Sequence, residues 1–166
     1  MNNLNGLFLG LWLSCRLFNA QADDPLPWKN PIIWQRADPH VMLHTDGRYY
    51  FTATVPEYDR IELRRAKTLG ELSTAEAKVI WRKHDRGPMS HHIWAPEIHF
   101  INGKWYIYFA AGRAEAIWDI RMYVLENAAV NPLEGTWTEM GQIKMNWESF
   151  TLDATTFLHR GARYLA

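Results

Sequence analysis

Three acidic residues stand at comparable distances ahead of a Gly-containing turn. Asp38 in "RADPHV" is nine residues before Gly47, Glu97 in "IWAPEIHF" is six before Gly103, and Asp153 in "LDATTF" is eight before Gly161. A lone aspartate before a strand is an ordinary cap or solvated turn, but acids at matching places in a repeated unit converge where the units meet. Converging like charges cost electrostatic energy, and that cost is retained where carboxylates move a proton or bind a cation. Glu97 differs in register from the two aspartates, so it either anchors the pocket wall through hydrogen bonds or contacts a substrate. Aromatic residues lie close by in sequence: Trp34 precedes Asp38, Trp94 precedes Glu97, and Tyr58 follows the first turn. Flat rings pack between structural units or against the apolar faces of a saccharide. In the second case polar neighbours such as His92 and Arg36 take the hydroxyls.

The elements that must position these acids repeat. "DPHVMLHTDGRYYFTAT" (38–54), "PEIHFINGKWYIYFAAG" (96–112) and "DATTFLHRGARYLA" (153–166) share one plan: an acid, a short apolar strand, a Gly-containing reversal, and a strand that opens basic-aromatic. The turn glycines are 56 and 58 residues apart. Two further strand-like stretches follow each of the first two hairpins, at 60–69 and 77–83 and again at 119–128 and 135–144. Between them, "GELSTAE" and "AVNPLEG" carry strand breakers. Four strands in each of two successive units of equal spacing predict an all-β fold of β-propeller type, in which the first strand of each unit lines a shared channel. A β-sandwich would not account for the equal spacing. The chain holds about two and a half such units.

Composition narrows the function. Of 166 residues, 48% are hydrophobic and 14% aromatic, with nine Trp, enough for a packed core. Eighteen basic side chains balance eighteen acidic ones with no basic stripe, which argues against nucleic acid or an anionic membrane as the main partner. Residues 1–22 differ from the rest. "GLFLGLWL" (6–13) is too short to span a bilayer and "NAQA" (19–22) offers small residues, so the segment reads as a secretory signal cleaved after Ala22. Residues 23–166 then form the domain, without cysteine, as in bacterial periplasmic or secreted proteins that rely on their core.

No nucleotide-binding or nucleophile-elbow motif is present. His91 and His92, with His40 and His99, match no zinc spacing, and adjacent strand residues point to opposite faces. No cofactor or metal is expected, although channel acids are also the residue type that would hold a hard cation such as calcium.

Taken in order, "RADPHV", "IWAPEIHFINGKWYIYFAAG" and "LDATTF" resemble the successive signatures of glycoside hydrolase family 43, five-bladed propeller enzymes that act on arabinose- and xylose-containing polysaccharides. From about Asn30 to Ala166 the sequence looks most like the exo-α-1,5-L-arabinofuranosidases of that family. The resemblance implies an inverting glycosidase in which Asp38 is the general base and Asp153 raises the pKa of the acid and orients it. It also implies that the acid, a glutamate in a Glu-Gly-Pro type motif, belongs to the following blade. No residue here matches it, and the 166-residue polypeptide alone is expected to be an inactive N-terminal fragment. Substrate contacts are expected from Trp94, Glu97, His92, Tyr58 and Arg36, with Arg36 or a histidine keeping Asp38 ionised. The implied partner is an arabinose-containing oligo- or polysaccharide. β-Xylosidase and endo-arabinanase activities of the same family are alternatives, as is a non-catalytic carbohydrate-binding propeller.

Overall fold

The computed structural model describes residues 28–166. The expected secretory signal at 1–22 lies outside the described residues. Strands β1 (Ala37–Leu43), β2 (Tyr49–Thr54), β3 (Arg60–Ala66) and β4 (Lys78–Arg82) form one four-stranded sheet in sequence order. Strands β5 (His91–Ile101), β6 (Lys104–Arg113), β7 (Ala116–Asn127) and β8 (Thr138–Gln142) form a second, also in sequence order. β9 (Thr156–His159) and β10 (Ala162–Leu165) pair as a separate hairpin. Every pairing is antiparallel. Two meandering four-stranded sheets followed by the first hairpin of a third are successive β-propeller blades, so the all-β expectation and its two and a half units hold.

Local sequence explains the hairpins. Asn102–Gly103 and Arg160–Gly161 each link two strands as a two-residue loop with both φ angles positive, the geometry whose twist matches that of the flanking strands. In the first blade the loop is longer. Asp46 braces it by accepting the Arg48 N–H at 2.9 Å and the Tyr50 hydroxyl at 2.8 Å. The segment between β3 and β4, expected only to break the strands, makes a 3-10 turn at Gly70–Ser73 that buries Leu72. β7 begins at Ala116, three residues earlier than the apolar pattern indicates, because Ala116 pairs with Arg113 across the hairpin.

The main core lies between the two sheets. Tyr50, Ile61 and Leu63 of the first sheet meet Ile98, Trp105 and Phe109 of the second, all fully buried. Trp105 and Tyr50 approach to 4.8 Å between ring centroids. At the outer strands, the Trp81 indole N–H donates to Glu139 at 2.7 Å and His84 lies 2.8 Å from the same carboxylate oxygen, so β4 and its following loop are tied to β8. A smaller cluster of Ala110, Ile120, Met122 and Ala154 joins the second sheet to the segment entering the third.

Candidate active site

One residue in the channel-end part of each inner strand, or in the segment entering it, sits in the left-handed region. The φ angles are 50° at Asp38, 44° at Ala95 and 59° at Asp153. Aspartate tolerates this conformation better than most residues, and such strain concentrates at functional sites. A bulge accompanies it. β1 pairs Ala37 with Thr54 and then His40 with Thr52, and β5 pairs Trp94 with Ala110 and then Glu97 with Tyr108. One extra residue on the inner strand re-aims its first side chain. The bulges align Asp38 with Ala95 and His40 with Glu97, and Ala95 and Asp153 correspond because each lies seven residues before its two-residue loop, Asn102–Gly103 or Arg160–Gly161. The different register of Glu97 is therefore a different position in the blade.

Asp38 and Asp153 line one cavity of about 260 Å³ together with Ala37, Thr54, Tyr58, Trp94 and Leu152. Tyr58 and Trp94 meet edge to face at 5.9 Å and 85°. The Thr54 hydroxyl donates to Oδ2 of Asp38 at 2.8 Å. Asp153 has its pKa pushed up, first by partial burial and then by the negative charges of Asp38 and Glu97. Asp38 and Glu97 thus both act electrically on Asp153, although only the two aspartates face the cavity.

Glu97 is held beside the cavity by histidines. His99 Nε2 lies 3.0 Å and His40 Nε2 3.8 Å from its Oε2. Burial lowers the pKa of both imidazoles, against the opposing pull of Glu97. His40, Glu97 and His99 bring one ligand atom each within 4.8 Å of one another, a set that could hold a cation. The donor pattern fits hydrogen bonding better. The Ile98 N–H donates to His40 Nδ1 at 3.3 Å, so the neutral ring carries its proton on Nε2, the atom a cation would need bare.

The remaining expected contacts are placed differently. His92 is packed under the aromatic wall, 4.3 Å from Trp94 and 5.1 Å from Trp118 between ring centroids, and its ring nitrogens are buried away from the cavity. It supports Trp94 and does not line the cavity. His91 and His92 do not point apart as strand neighbours would. Their rings are 4.0 Å apart, because the positive φ of His92 breaks the alternation. Arg36 donates to Glu62 at 2.9 Å, so the hydrogen bond to Asp38 comes from Thr54 and neither from Arg36 nor from a histidine. Trp34 is 77% exposed and lines a separate hollow of about 680 Å³ between residues 28–34 and the first sheet. That hollow and an apolar one of about 570 Å³ beside it are larger than the carboxylate cavity, but among the described residues no acidic side chain lines either.

Sequence reasoning passed over Thr54. The signal was a hydroxyl at the end of β2, seven residues after Gly47, where the second blade has Ala110 seven after Gly103. Comparing the two repeats position by position exposes it.

Residues 28–166 match the family model for glycosyl hydrolases family 43. An extracellular exo-α-(1→5)-L-arabinofuranosidase of Streptomyces chartreusis is 65% identical over 87% of this chain and 44% of its own length. An α-L-arabinofuranosidase 43 of Humicola insolens is 55% identical over 88% of this chain and 30% of its own. Among solved structures, an α-L-arabinofuranosidase from Lactobacillus brevis superimposes with a TM-score of 0.79 at 48% identity, covering 83% of this chain and 45% of that one. The chain therefore spans less than half the length of these relatives. With the blade architecture, the paired aspartates and a family match over all the described residues, the chain belongs to glycosyl hydrolase family 43.

Proposed function

We propose that this chain is the base-bearing part of an exported, inverting exo-α-L-arabinofuranosidase that removes terminal arabinofuranosyl residues from arabinan and arabino-oligosaccharides. The observation that carries the reading is the meeting of Asp38 and Asp153 in one cavity walled by Trp94 and Tyr58. In this reading Asp38 takes a proton from water as the oxygen attacks the anomeric carbon. Inverting enzymes leave room for that water by spacing base and acid roughly 6.5–9.5 Å apart. Asp153, its own proton affinity raised by burial and then by the neighbouring acids, repels further negative charge and so favours the protonated form of a nearby acid. The acid itself is assigned to a glutamate outside these 166 residues. Trp94 offers the sugar an apolar face. The arabinofuranosidase names of the relatives support the substrate class. Export is supported by the word extracellular in the name of the Streptomyces relative and by the apolar segment at 6–13.

The test uses the full-length gene product on p-nitrophenyl α-L-arabinofuranoside, the corresponding β-xyloside and linear arabinan. Arabinose release from the first, with inversion visible by proton NMR, is expected. Asp38→Asn is expected to lower kcat by about 10²- to 10⁴-fold, the usual worth of a general base. Preference for the xyloside, or oligosaccharide products from arabinan, would reassign the activity within the family. Binding of arabinan without turnover of any substrate would make it a carbohydrate-binding propeller.

A further inference from the structure

Among the described residues Thr54 is the one side chain hydrogen-bonded to Asp38, and the same hydroxyl oxygen accepts the backbone N–H of Ala95 at 2.7 Å. Thr54 is 4% exposed, and its two partners come from the inner strands of successive blades. An amide N–H can only donate, and a hydroxyl has one proton to give. Among the described residues no second acceptor is bonded to that hydroxyl, so its proton is committed to Asp38. We propose that Thr54 is a positioning residue: it fixes Oδ2 of Asp38 as a hydrogen-bond acceptor, leaves Oδ1 to take the proton of the attacking water, and ties the base to the bulge that carries Trp94.

The second blade supports this assignment. Where Asp38 and Thr54 stand in the first blade, Ala95 and Ala110 stand in the second, so carboxylate and hydroxyl are absent together. Thr54 also accounts for a buried backbone donor at a residue with positive φ, Ala95, which would otherwise lack a partner. In the step itself the water O–H bond breaks and its proton passes to Oδ1. Water oxygen bonds to the anomeric carbon, and the departing sugar oxygen leaves with the acid's proton.

The proposal rests on the arabinofuranosidase reading, and its experiment separates the two. In the full-length protein, Thr54→Val removes the hydroxyl at nearly constant volume and Thr54→Ser keeps it. For Thr54→Val, kcat is expected to fall roughly 10- to 100-fold with KM within about twofold, as for loss of a hydrogen bond to a charged group. The acidic limb of its kcat/KM profile is expected to move to higher pH, because the carboxylate anion has lost its hydrogen-bond donor. Thr54→Ser should restore most of kcat and the wild-type limb. If Thr54→Val does not fold, Thr54→Cys, a much weaker donor of similar size, takes its place with the same two readouts. An active wild type with an unaffected valine variant overturns this proposal alone, as does equal damage by valine and serine with an unmoved limb. A wild type inactive on every arabinoside overturns the functional reading and this proposal with it.

Discussion

Asp38 and Ala95 hold the same place in successive blades: each lies in the bulge of an inner strand, each has a positive φ, and one hydroxyl, that of Thr54, bonds to both. The channel end of this structure therefore carries carboxylates on the first and third units and a methyl group on the second. Charge is gathered around one cavity without three like charges being forced into equivalent positions.

The crowding that remains has a measurable sign. Folding raises the pKa of Asp153 above its ordinary 3.8, so the folded state favours its protonated form. That contribution is fully present below the unfolded pKa and is lost as the pH rises through the folded value. Asp153→Asn should therefore be more stable than the wild type at neutral pH, with the advantage closing below about pH 4. Calorimetric Tm values across that range check it; a pH-independent difference would rule out the charge of Asp153, penalised by burial and then by Asp38 and Glu97, as the cause.

Trp94 should report on binding more than on chemistry. Trp94→Ala is expected to raise KM about tenfold on an aryl arabinofuranoside, with a smaller loss of kcat, since a ring contact is worth roughly 0.5–1.5 kcal/mol beyond its area. Trp94→Phe should recover part of the affinity. Initial-rate kinetics on both variants decide, and a pure kcat effect would move Trp94 out of the binding wall.

Behind the site, Glu62 is buried and accepts from Arg36 at 2.9 Å and from Arg60 at 2.7 Å. Burial pushes its pKa up most strongly, but the hydrogen bonds from Arg60 and Arg36, with their charges, more than offset it, and the net direction is down. Stability from this carboxylate is present above its unfolded pKa, ordinarily 4.5, and is lost as the pH falls through the folded value. Glu62→Gln should destabilise the protein by about 3 kcal/mol at pH 7, because it leaves two guanidinium groups short of their shared anion. Urea titrations at pH 7 and pH 3 should show the penalty shrinking in acid.

Between the blades, Trp105 is fully buried within 5 Å of Tyr50, Phe100 and His44 by ring centroid. Trp105→Ala should cost roughly 3–5 kcal/mol by transfer and cavity terms together. Its indole N–H has no hydrogen-bond partner, so Trp105→Phe loses no bond and should cost distinctly less. Denaturant midpoints for the two variants provide the comparison.

The blade plan was legible in the sequence because it is local and repeated. Gly47, Gly103 and Gly161 mark the reversals, and strand patterns fall between them at nearly constant spacing. The two cavity aspartates were legible for the same reason, as they begin repeated segments. What escaped depends on contacts between strands distant in sequence or on single backbone angles. Arg36 finds Glu62 across 26 residues, which no local pattern announces. His92 departs from strand alternation through one φ angle, and Glu97 lies two residues beyond the aspartate position, at that of His40, which only the pairing of the strands reveals. Thr54 was hidden because threonine in a strand is common, and only its two partners make it distinctive.

The ties at Thr54 and at Trp81 lie at opposite ends of the blades, one at the channel strands and one at the outermost strands. Together with the core packed between the two sheets, contacts at both radii fix the wedge angle between neighbouring blades. The direction in which Asp38 faces is then part of the propeller's angular pitch.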